Sequence, residues 1–145
     1  MVQTIAAYLC FPGERSHNLD AATSEGAMNS LAHAGGGSMT VCADPDGTEV
    51  QVWIRDDGKG TSTEHLHRTT MECGFTTPDS MGCGFFIILN TVDMVSLLTD
   101  AMGTTLVLTQ KREMNRSRTP VGFFRWLPRR DKRDAGLAKR NSLPI

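Results

Sequence analysis

The 145-residue chain is 39% hydrophobic and 21% charged with a formal net charge of −1, the balance of a globular protein with one core and room for an extension. No stretch approaches the roughly 18 uninterrupted apolar residues of a membrane span. The apolar start, Met1 to Pro12, lacks the basic lead and cleavage pattern of a secretory signal, so a cytoplasmic protein is expected.

Val2 to Leu9 is apolar and fits a short helix or a strand, ended by Phe11-Pro12-Gly13. An alanine-rich helix follows, capped at Ser16 or Asn18 and stopped after Ala34 by Gly35-Gly36-Gly37. Ser38 to Ala43 alternates, with Met39 and Val41 on one side, and Glu49 to Arg55 alternates with Val50, Val52 and Ile54. Asp44-Pro45-Asp46-Gly47 joins them as a hairpin turn. Thr61 to Met81 is polar and too long for a plain connector, which predicts a lid. Phe85 to Val92 reads as a buried helix. Met94 to Thr99 and Thr104 to Lys111 read as strands joined by a turn at Asp100 to Gly103. Helix, hairpin, lid, helix, hairpin predicts an α+β two-layer sandwich with a mixed, mostly antiparallel sheet.

Charge is divided along the chain. Residues 1–110 hold 4 Lys/Arg and 13 Asp/Glu, whereas residues 111–145 hold 11 and 3. This predicts an acidic domain over 1–111 and a basic, flexible extension over 112–145, punctuated by Pro120, Pro128 and Pro144. The cluster Val121 to Leu127 is its one apolar stretch, suited to docking on the domain or on a partner. Charge alone also leaves nucleic acid open for the extension, with Phe123, Phe124 and Trp126 as stacking candidates, but no direct nucleic-acid binding is expected. Cys10, Cys42, Cys73 and Cys83 form no C-x-x-C pair, which removes support for zinc or a disulfide framework.

Three motifs carry chemistry. Glu25, Asn29 and His33 are spaced i, i+4, i+8. Each step turns a helix by about 400°, so a carboxylate, an amide and an imidazole form a drifting line on one face. The carboxylate suits proton abstraction from a hydroxyl, and the amide oxygen suits Mg²⁺. Asp56-Asp57-Gly58-Lys59-Gly60 follows a strand, where glycines admit a flat ligand and Asp56 can accept from an exocyclic amine. Gly82-Cys83-Gly84-Phe85 opens a helix whose first N–H groups suit phosphate. Each motif alone is commonplace, and G-x-x-x-x-G-K-[S/T] is absent, which excludes the P-loop class.

In their order and spacing the three resemble the N, G1 and G2 boxes of the GHKL ATPase superfamily, with its Bergerat fold. The match reads E-x-x-x-N-x-x-x-H at 25–33, D-x-G-x-G at 56–60 and G-x-G-F at 82–85, and Gly103 to Thr109 is similar to the family's final strand. Ser24 to Asn29, Phe75-Thr76-Thr77 and Asp93 to Ser96 are similar to bacterial anti-sigma-factor serine kinases. This resemblance implies ATP and Mg²⁺ as cofactors, a sigma factor and an antagonist protein as partners, and a homodimer. It implies Glu25 as the catalytic residue and Asn29 as the metal ligand. Asp56 would read the adenine amine, Gly58 and Gly60 would shape the base pocket beside Lys59 and Thr104, and Gly82, Cys83, Gly84 and Phe85 would serve the phosphates. His33 would contact nucleotide. With about 15 residues ahead of the first motif helix, the family's N-terminal strand, often a dimer contact, is expected to be missing or replaced. Its arginine before the G2 box is replaced by Ser80 and Met81, with Arg68 in the lid as substitute. The alternatives are a catalytically weak or inactive nucleotide-binding regulator and the ATP-binding domain of a sensor histidine kinase.

Overall fold

The structure is a computed structural model that describes residues 1–60, 82–113 and 123–126. The first apolar segment is a helix, α1 (Val2–Tyr8), with Val2 and Ala6 buried one turn apart. Buried Phe11 and exposed Pro12 then lead into α2 (Gly13–Ala34), whose first carbonyl acceptor is Pro12, bonded by the Ser16 N–H at 3.0 Å. This corrects the expected cap at Ser16 or Asn18. Ser16 is buried and donates its own Oγ to the Pro12 carbonyl at 3.2 Å, so it lies inside the first turn. Tertiary contacts hold this extra turn. Arg15 on it forms an ion pair with Asp93, whose Oδ2 also accepts the Lys111 N–H at 2.7 Å. At the other end Gly35 takes φ 74°, the left-handed stop expected there, and donates to the Leu31 carbonyl at 3.0 Å.

Four strands form an antiparallel sheet: β1 (Ser38–Ala43), β2 (Glu49–Asp56), β3 (Met94–Asp100) and β4 (Gly103–Lys111). β5 (Phe123–Trp126) adds a parallel strand on β3, giving the order β1-β2-β4-β3-β5. The fold is therefore the expected α+β sandwich. Within the apolar cluster assigned to the extension, Phe123–Trp126 pair with the domain's sheet as a strand, Phe123 level with Met94 and Trp126 level with Leu97. The β3–β4 turn is tighter than expected, because both strands run on to Asp100 and Gly103.

Alternation sets the core. Val50, Val52 and Ile54 face Leu106 and Leu108 across the β2–β4 pair, and Leu97 lies level with Leu106. α2 lies over β2 and β4, and α3 (Gly82–Thr91) packs on α2 and β3. Gly26 sets the approach of α2: a Cβ there would sit 2.7 Å from Ile54 Cδ1 and 3.0 Å from Leu106 Cδ2. α3 is one-sided rather than buried all round. Phe85, Ile88 and Val92 enter the core, while Phe86 and Ile87 remain 40% and 42% exposed, on the side away from α2 and the sheet among the described residues. Met39 likewise stays 38% exposed although Val41, two residues on, is buried. The expected lid over 61–81 and the rest of the basic extension lie outside the described residues. No helix among the described residues is long and apolar enough to cross a membrane.

Candidate functional site

The strand ends bring the motifs to one edge of the sandwich. β2 delivers Asp56, β4 begins at Gly103-Thr104, and β3 arrives at Thr99-Asp100. Register places Asp56 opposite Thr104 and Thr104 opposite Thr99, so the three form a polar row on the core face. Two residues inward on each strand, Ile54, Leu106 and Leu97 form an apolar row beneath it. A polar row above an apolar floor is what a flat base needs: burial for its faces and directional partners at its edge.

Asp56 is tied on one side and open on the other. Its Oδ1 accepts the Gly58 N–H at 3.1 Å and the Thr104 N–H at 3.2 Å. These bonds fix the carboxylate plane and leave Oδ2 to accept a further donor. Two glycines close the corner. Gly103 has φ 127° and lies against the Asp56 carbonyl, and Gly60 has φ 66° and lies against the Asp100 carbonyl. Neither position tolerates a Cβ, for its backbone angle and for its space. Gly58 lies against the end of α2, where a Cβ would meet Ala34 Cβ at 2.7 Å. Thr99 Oγ1 and Thr104 Oγ1 are 3.1 Å apart, completing the polar edge.

The helix motif meets the second glycine motif. The buried face of α2 runs through Leu19, Ala22, Thr23, Gly26 and Ser30. Glu25 and Asn29 lie to the side of it, toward α3. A Cβ on Gly84 would sit 2.5 Å from Glu25 Oε2 and 3.9 Å from Asn29 Oδ1. The G-x-G pair is thus the first turn of α3 itself, not a loop before it, and its bare backbone admits the acidic and amide side chains of α2. Asn29 Nδ2 is buried with no hydrogen-bond partner among the described residues. Such a donor costs about 1–3 kcal/mol unless a ligand satisfies it.

The other expected residues divide. Phe85 is fully buried behind Gly84 and belongs to the core wall. His33 and Lys59 are exposed at the same end. Arg68 lies outside the described residues. Sequence reasoning missed Thr99, Asp100, Ala34 and Gly103 as site-forming groups. Only Gly103 carried a local signal, a glycine at a tight hairpin; the others become neighbours through strand register. A cavity of about 500 Å³ lies at the opposite sheet end, lined by Asp44, Thr48, Glu49, Lys111, Arg112 and Glu113. Its charged walls lack the apolar lining usual for a small-molecule pocket.

Residues 1–110 match the family of the histidine kinase-like ATPase domain. The chain belongs to this family. No curated protein matches it. Membership makes the chain an ATP-binding regulatory protein of the GHKL kind, and the histidine kinase-like ATPase match spans all three motifs. The residues present fit the implied groups. Asp56 Oδ2 suits the adenine amine, and the orphaned Asn29 amide group and the start of α3 suit phosphate oxygens. No cluster of three His, Cys, Asp or Glu side chains capable of holding a metal occurs among the described residues. Mg²⁺ is usually held by one or two hard oxygens plus substrate phosphates, and the Asn29 amide oxygen suits that mode.

Proposed function

We propose that the chain is an ATP-dependent serine/threonine kinase of the anti-sigma kind, which binds a sigma factor and phosphorylates an antagonist protein. The observation that carries the reading is the Glu25 carboxylate lying against Gly84 at the start of α3, next to Asn29. A hydroxyl directed at the γ-phosphate would come within reach of Glu25. In the transfer, the seryl oxygen forms a bond to the γ-phosphorus as the bond to the bridging oxygen breaks. ADP leaves, and the hydroxyl proton passes to Glu25. Mg²⁺ held at Asn29, when bound, neutralises phosphate charge. Asp56 would orient the base through its open carboxylate oxygen, leaving the phosphates to the residues at the start of α3.

The test is incubation with labelled ATP, Mg²⁺ and a candidate antagonist. Label is expected on a partner serine or threonine, and Glu25→Ala should abolish transfer while keeping nucleotide affinity within a few-fold. Nucleotide binding without transfer by the wild type would replace the kinase with an inactive regulator, a reading favoured by Ser80 and Met81 where the resembling kinases carry arginine. Absence of nucleotide binding would remove both.

A further inference from the structure

We infer that the basic run Arg129-Arg130-Asp131-Lys132-Arg133, just beyond β5, supplies positive charge to the phosphates of the bound nucleotide. The direction of β5 carries the inference. β5 pairs parallel with β3, so both strands run the same way along the sheet edge. β3 ends at Thr99 and Asp100, where Asp56, Thr104 and Gly60 meet. Past Trp126, which lies level with Leu97, the chain is therefore aimed at the nucleotide end of the sheet. Asp100 lies three residues beyond Leu97, about 10 Å along a strand. Three extended residues after Trp126 cover that distance, which makes Arg129 the first cation able to reach the site.

The same flank holds the groups suited to phosphate. α3 ends at Thr91 and β3 begins at Met94, so the two run back to back and α3 starts toward the end of β3. α3 packs on β3, the strand that β5 joins, whereas α2 lies over β2 and β4. Gly84 and Asn29 thus lie between α2 and α3, while Asp56 lies on β2, farther from β5 in the order β2-β4-β3-β5. A cation arriving from β5 meets the phosphate side of the site before the base side.

Charge gives the run a task there. Among the described residues the carboxylates at this end are Glu25, Asp56, Asp57 and Asp100. The cations are Lys59 and Arg55, and the place of Arg55 between Ile54 and Asp56 puts it on the sheet face away from the core. A triphosphate adds several negative charges to this excess. Residues 129–133 hold four cations and one acid. Three of those cations are arginines, whose planar fork binds phosphate oxygens in pairs. The inference rests on nucleotide binding and not on the proposed transfer to a protein.

Calorimetry on the full chain, with a non-hydrolysable ATP analogue and with adenosine, tests it. Adenosine keeps the base and lacks the phosphates. Arg129→Ala/Arg130→Ala should weaken the analogue about tenfold or more and leave adenosine within about twofold. Lys139→Ala/Arg140→Ala, which removes the same charge farther along, should match wild type. The circular-dichroism melt should not change, since all four positions lie outside β5. Unchanged analogue affinity in Arg129→Ala/Arg130→Ala overturns the inference, and retained adenosine binding would then leave the base pocket standing. An equal loss in Lys139→Ala/Arg140→Ala overturns it as well, because the attraction would be diffuse. So does an equal loss for adenosine, or a wild type that binds neither ligand, which would also remove the nucleotide reading.

Discussion

Glu25 Oε2 occupies the space where a side chain on Gly84 would begin, 2.5 Å from that Cβ position. Two motifs separated by most of the domain thus share one packing contact. The glycine is needed for what it lacks, since any side chain there displaces the carboxylate.

Gly84→Ala should therefore separate function from stability. The obstructing atom is the end of a flexible side chain, and alanine favours a helix over glycine by up to about 1 kcal/mol. Urea denaturation should show unchanged or slightly raised stability. Calorimetric ATP affinity is expected to fall about tenfold or more. Equal affinity in wild type and variant would remove Gly84 from the site.

Asp56 invites a substitution that keeps its scaffold role. Asparagine can retain Oδ1 for the Gly58 and Thr104 N–H groups but replaces the second oxygen with a donor. Asp56→Asn is expected to preserve the melt within about 1 kcal/mol. It should weaken ATP by roughly 10–100-fold, the cost of one lost and one opposed hydrogen bond. Asp56→Ala should lose stability as well. A preserved ATP affinity in Asp56→Asn would contradict adenine recognition by this carboxylate.

Gly103→Ala should act mainly on folding. The residue has φ 127°, and a Cβ would meet the backbone carbonyl of Asp56 and come within 2.9 Å of Asp57 Cα. Neither neighbour is a flexible side-chain tip, so the strand ends must move. A loss of about 2–4 kcal/mol is expected in urea denaturation, accompanied by weaker ATP binding because Asp56 shifts. A loss under about 1 kcal/mol would mean the hairpin relaxes freely.

Asp44 makes the β1–β2 turn sensitive to acid. Burial pushes its carboxyl upward, but hydrogen bonds from the Thr48 hydroxyl and the Thr48 and Glu49 N–H groups prevail and hold it below 3.8. A folded-state value below the unfolded one stabilises the protein above the unfolded value and ceases to do so as pH falls through the folded value. Asp44→Ala should cost about 1 kcal/mol near neutral pH. The gap to wild type should shrink as pH drops below about 4 in thermal melts. A gap independent of pH would rule out the ionised carboxylate as its source.

Much of the fold was legible in sequence because it follows from local rules. Strict alternation in Val50, Val52 and Ile54 marks a half-buried strand, and three glycines after Ala34 can only end a helix. Other features had no local signal. The early start of α2 depends on Arg15 reaching Asp93, a residue remote in sequence. The exposure of Phe86 and Ile87 depends on which side of α3 the described elements α2 and β3 meet. Residues 123–126 are too short and too isolated to declare a strand until the β3 edge is there to pair with.

For the site, sequence by itself determined the chemical groups and their order: an acid and an amide a turn apart, an aspartate beside glycines, and a glycine pair at a helix start. Tertiary structure decided which of them meet. It joined Glu25 to Gly84 and set Asp56 between Gly58 and Thr104. The reason is that side-chain identity is encoded residue by residue, whereas proximity comes from strand register and helix approach, which the whole core sets at once.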